Sequence, residues 1–145
     1  MVPAKKLPDF SGVWELNLLK STLLGPAPER ILMIIEHREP KLIQQILVTL
    51  AGGSEQQLTF TLEIGAETAN PMGGGMAQSH AWWQGKELVI ESRVTVAGRE
   101  AYFKDRWSLS KDGQTLTMAH RDDDLAGQIA VLEKKPLKKM KGPES

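Results

Sequence analysis

The chain has 145 residues, with eighteen Lys and Arg balanced by eighteen Asp and Glu, three His and no Cys. A chain of this size buries about 70% of its unfolded surface, enough for one core without staples. The lack of Cys excludes thiol catalysis, disulfide frameworks and cysteine-ligated metal centres, and the zero formal charge supplies no field that favours nucleic acid or an anionic membrane.

Residues 1–9 read as an arm in which Lys5 and Lys6 are followed by Pro8 and Asp9 instead of an apolar block. No secretory signal is therefore expected, which fits a cytoplasmic protein or a mature exported form. A first strand is expected at 10–19, then a loop or single helical turn at 21–29, where Gly25, Pro26 and Pro28 interrupt the pattern. Strands at 30–38 and 41–50 flank the Glu39-Pro40 turn, and Gly52-Gly53 follows. Their greasiest runs, 31–35 and 42–50, are far short of the ~20 apolar residues of a membrane span. The clearest alternation runs over 57–64, where Leu58, Phe60, Leu62 and Ile64 take the core face and the odd positions meet water.

The segment 65–75, with Pro71 and the run Gly73-Gly74-Gly75, reads as a long mobile connection at a barrel mouth. No Gly-Lys-Ser/Thr follows the glycines, so they are not a phosphate cradle. Strands at 76–84, 87–96, 99–110, 114–121 and 127–135 complete the set, joined by Gln84-Gly85, Ala97-Gly98 and Asp112-Gly113 turns. From residue 134 five Lys lie among Pro and Gly, and residues 136–145 read as a basic flexible tail. Residues 10–135 then form one all-β domain. Short turns make its strands antiparallel neighbours, and about 8–9 of them avoid exposed edges by closing into a single up-and-down barrel.

Facing follows from the turns, because partners across a hairpin have a constant sum of positions. Asp112-Gly113 as the loop pairs Leu109 with Leu116, Trp107 with Met118 and Asp105 with His120. Ala97-Gly98 pairs Val94 with Ala101, Ser92 with Phe103, Ile90 with Asp105 and Leu88 with Trp107. Both hairpins put the same apolar face inside, interrupted only by Ser92, Asp105 and His120. At Gln84-Gly85 a two-residue loop turns Ser79, Ala81 and Trp83 inward, whereas a bulged turn would bring in Gln78, His80 and Trp82. The first matches the other hairpins.

The first strand carries Gly12-Val13-Trp14, which is similar to the Gly-x-Trp that opens the barrel of lipocalins and related calycins, where the Trp plugs one end. Trp83-Gln84-Gly85-Lys86-Glu87-Leu88-Val89-Ile90-Glu91 and the stretch from Asp105-Arg106-Trp107 through Lys111-Asp112-Gly113 to Thr117 resemble an uncharacterised group of bacterial lipocalin-like proteins. The resemblance implies a lipocalin/calycin-like barrel and the binding of a ligand inside it, without naming one. The family pattern also has a late Arg that packs on the Trp, for which Arg106 and Arg121 are the candidates. The family's disulfides and C-terminal helix have no counterpart. In nitrobindin-like haem barrels a Gly-rich extension follows the first Trp; here Glu15-Leu16-Asn17 stands there, and no cofactor is expected.

Three functional readings compete. The leading one is a binding module for a small apolar or amphipathic molecule, with Trp83, Phe103, Trp107 and Met118 as wall and Ser92, Asp105 and His120 as polar contacts. The second is a cofactor-less enzyme in which Asp105 raises the basicity of His120. The third is a structural or interaction module with a filled core. The adjacent Asp105 and His120 can also serve simply to satisfy each other, since buried charges cost several kcal/mol unless paired. His37, His80 and His120 have no metal-ligand spacing, the Asp122-Asp123-Asp124 run lacks a calcium loop's pattern, and no Gly-x-Ser-x-Gly occurs.

Overall fold

In the computed structural model, which describes residues 7–23, 26–72, 74–122 and 127–136, the chain forms ten antiparallel strands and one short 3-10 turn. These are β1 (Gly12–Leu16), β2 (Arg30–Arg38), β3 (Lys41–Thr49), β4 (Glu55–Glu63), β5 (Glu67–Met72), β6 (Gly75–Gln84), β7 (Glu87–Val96), β8 (Arg99–Leu109), β9 (Thr115–Asp122) and β10 (Gly127–Lys134). Sequence neighbours pair except β4 and β5, β1 also pairs with β10, and the order β4-β3-β2-β1-β10-β9-β8-β7-β6-β5 makes a nearly closed up-and-down barrel. Among the described residues no helix is long and apolar enough to cross a membrane. Residues 1–6 of the expected arm and 137–145 of the expected tail lie outside the described residues.

The hairpin arithmetic holds at all three turns. Leu109 faces Leu116, Trp107 faces Met118 and Asp105 faces His120, while Ser92 faces Phe103 and Ile90 faces Asp105. Gln84 pairs with Glu87, so Ser79 and Ala81 are buried inside and His80 is exposed outside.

Four expectations are corrected. The 65–75 segment is not a long connection, because residues 67–72 pair with β6 from Glu67–His80 to Met72–Gly75. This strand raises the count from the expected 8–9 to ten, and its sequence, Glu-Thr-Ala-Asn-Pro-Met, has no apolar alternation to announce it. Gly75 belongs to β6, where a Cβ would come within 1.9 Å of the Thr95 carbonyl oxygen, so only glycine lets β6 and β7 meet there. The first strand ends at Leu16 instead of residue 19: the Asn17 side chain accepts from the amides of Leu19 and Lys20 and turns Leu18–Lys20 into a 3-10 helix. Neither candidate arginine covers Trp14. Arg106 lies on the outer face, bonded to Gln84 and Glu87, and Lys134 stands over the indole at 5.5 Å. Lys134 and Lys135 thus belong to the barrel: the Lys135 amide bonds to Val13 and its ammonium to Glu15.

The Gly-x-Trp spacing has a direct physical reason. Gly12 has φ 141° and lies where a Cβ would come within 2.8 Å of Lys134 Cε, so glycine leaves the channel through which the lysine reaches Trp14.

The barrel's seam lies between β4 and β5. Pro71 has no amide to donate, and side chains take over the antiparallel register. Asn70 donates to the Thr61 carbonyl and accepts from the Thr61 amide, both at 3.0 Å, and Thr68 Oγ1 accepts from the Glu63 amide at 3.2 Å. Replacing Asn70 by Ala removes both bonds across the seam and is expected to cost about 1–2 kcal/mol. Chemical denaturation measures it. A variant within about 0.5 kcal/mol of the parent, the scatter for an unimportant surface change, would show that the seam does not need the amide.

Candidate functional site

The two ends of the barrel are filled differently. At one end Phe10 and Trp14 are fully buried, each removing about 1.5–3 kcal/mol worth of apolar surface from water. Phe10 stacks on His37 and Trp83, with centroids 5.6 and 5.9 Å apart, and meets Trp107 edge-on at 5.5 Å. A chain of hydrogen bonds ties these rings together. Trp14 Nε1 donates to the Phe10 carbonyl (2.9 Å) and the Phe10 amide donates to His37 Nδ1 (3.1 Å). Nδ1 accepts, so the ring proton sits on Nε2 and goes to Glu39 (2.6 Å), whose other oxygen accepts from Trp83 Nε1 (3.1 Å).

Toward the other end the inward positions carry smaller or polar side chains, and a cavity of about 340 Å³ remains. Gln44, Ile46, Leu58, Phe60 and Leu62 wall it from β3 and β4, and Ala77, Ser79, Ile90 and Ser92 from β6 and β7. Phe103, Asp105, Trp107, Met118, His120 and Gln128 close it from β8 to β10. Trp107 and Met118 are buried and form the side nearest the aromatic plug. Ser79 and Ser92 share a hydrogen bond of 2.8 Å across β6 and β7.

Asp105 and His120 meet at 2.7 Å between Oδ1 and Nδ1, with side chains 24% and 29% exposed. A carboxylate only accepts, so Nδ1 carries the hydrogen and Nε2 faces away from Asp105. Phe103 packs against the imidazole at 5.2 Å. The Asp105 hydrogen bond raises the His120 pKa above its ordinary 6.5; burial opposes this, while the charges of Asp105 and Asp122 add to it.

Ser92, Phe103, Asp105, Trp107, Met118 and His120, all legible from strand parity, therefore line one cavity. Trp83 does not. It faces inward, but its indole is spent on the plug and its bond to Glu39. Gln44, Phe60 and Gln128 were not singled out by sequence reasoning. Phe60 stood on the core face of the clearest alternating segment, whereas the two glutamines gave no signal distinct from surface positions.

No protein-family model and no curated protein matches the chain. Solved structures do match in fold. Secretory abundant heat soluble protein 4 from Ramazzottius varieornatus superposes with a TM-score of 0.65 at 11% identity, covering 92% of this chain and 100% of its own. A Schistosoma mansoni fatty acid binding protein in complex with arachidonic acid gives 0.64 at 12% identity, covering 88% and 96%. The wild-type fluorescent protein UnaG gives 0.61 at 16%, covering 87% and 97%. These likenesses show a calycin-like barrel of the fatty-acid-binding-protein type.

The raised His120 pKa fixes the sign of a pH effect. Its contribution to stability is complete below pH 6.5, the ordinary value, and is lost as pH rises through the folded value. NMR titration of the His120 ring should give a pKa above 6.5, and Asp105→Asn should abolish the elevation and flatten that part of the stability profile. A ring titrating at or below 6.5 would contradict the pairing.

Proposed function

We propose that the barrel binds one small apolar or amphipathic molecule in its lumen, with Phe103, Trp107 and Met118 as apolar contacts and Ser92, Asp105 and His120 as polar ones. The observation that carries the reading is the cavity of about 340 Å³ itself, lined mostly by apolar side chains with a few polar ones among them, its ionisable pair Asp105 and His120 on one side. Such a space falls within the roughly 300–1,000 Å³ of small-molecule sites and has their usual mix of apolar wall and few polar groups. The fold neighbours add support, since one of them is a fatty acid binding protein holding arachidonic acid. A filled-core interaction module is the weaker reading, because the lumen is empty beyond Trp107. A closer relationship to the bacterial lipocalin-like group rests on the three sequence segments alone.

Calorimetric titration with long-chain alcohols, retinol and haem tests the reading. At least one apolar compound should bind with one-to-one stoichiometry, and Ile46→Trp, which pushes an indole into the lumen, should weaken it by at least about tenfold while the far-ultraviolet spectrum stays the same. Absence of binding by every compound, or unchanged affinity in a folded Ile46→Trp variant, would overturn it.

A further inference from the structure

The polar corner of the lumen has a definite charge and hydrogen-bonding character. Among the described residues that line the cavity there is no Lys or Arg. Asp105 lies beside the His120 ring on β8, while Asp122, the register partner of Phe103, lines a separate pocket with Arg93, Lys104 and Arg121 and not this cavity. From β10, uncharged Gln128 is the register partner of His120, and the strands across the lumen add Gln44, Ser79 and Ser92, which carry no charge. The nearby cations occupy the alternate, outer positions: Lys104 pairs with Glu91, Arg106 with Glu87, and Arg121 is the outer-face partner of Lys104.

Resting on the lumen as a ligand site, we propose that the polar end of the ligand is a neutral hydroxyl and not a carboxylate. The bond between Asp105 and His120 occupies one carboxylate oxygen and Nδ1. What remains for a ligand is a second carboxylate oxygen, which only accepts, and Nε2, which accepts when the ring is neutral and donates when it is charged. A hydroxyl gives its proton to an acceptor and still receives one from Nε2–H, so it fits both states of the ring. A carboxylate has nothing to give Asp105 or the neutral ring, can accept from Nε2 only while the ring is charged, and brings a further negative charge beside Asp105, in a site whose low dielectric strengthens the repulsion.

Titration of the full chain at pH 8 with 1-decanol and with decanoate reads this directly. The alcohol should bind at least about tenfold more tightly, and Asp105→Asn, which removes the negative charge, should narrow the gap between the two compounds by improving decanoate. The variant separates recognition by Asp105 from the general preference of an apolar lumen for an uncharged molecule. Should Asp105→Asn not fold, the His120 ring nitrogen shifts in the unaltered protein decide: 1-decanol should move Nε2, and a ring that does not respond overturns the assignment. Decanoate binding as tightly as 1-decanol, or an unchanged gap in the folded variant, overturns the hydroxyl assignment and leaves the lumen reading standing. Binding of neither compound removes both.

Discussion

The structure depends on filling one end of the barrel with rings and leaving the other end unfilled. A closed sheet of this many strands encloses more width than ordinary side chains occupy, so a lumen survives unless something large blocks it. Here the block is confined to Phe10, Trp14, Trp83 and the lower edge of Trp107. The indole N–H groups of Trp14 and Trp83 are satisfied within the plug, by the Phe10 carbonyl and by Glu39, and His37 joins the two. The plug therefore needs no group from the opposite end, and the inward positions there carry Ser79, Ser92, Asp105, His120 and Gln128 without loss of the core.

The two inward-facing histidines illustrate the division. His37 accepts a backbone amide at Nδ1 and donates from Nε2 to Glu39, so both nitrogens are used within the plug. His120 donates from Nδ1 to Asp105 and directs its other nitrogen away from that partner, at the edge of a cavity. The same side chain is tied at both nitrogens at one end and at one nitrogen beside a cavity at the other, and the difference lies in which ring nitrogen the neighbours take.

Strand parity makes the Asp105–His120 corner legible in the sequence: the Asp112-Gly113 turn, in the register that keeps the apolar residues on one face, makes the two side chains neighbours. It failed where side chains replace the usual cues. The strand Glu67–Met72 is held by its ladder to β6 and by Asn70 across the seam, neither of which leaves an apolar period to read. The family pattern points to an arginine as the partner of Trp14, whereas Lys134 reaches it through the gap that Gly12 leaves. Trp83 had the right parity but the wrong height: facing gives the side of a sheet, and only the tilt of the closed barrel decides which inward residues share a layer.

The central claim is an open space above Trp107. Crystals pressurised with xenon test it most directly, because xenon enters apolar cavities that side chains leave empty. Xenon density is expected between Phe60, Ile90 and Met118, with none between Phe10 and Trp14. A lumen closed by inward-turned Leu58 and Phe60, with no xenon inside the barrel, would contradict it.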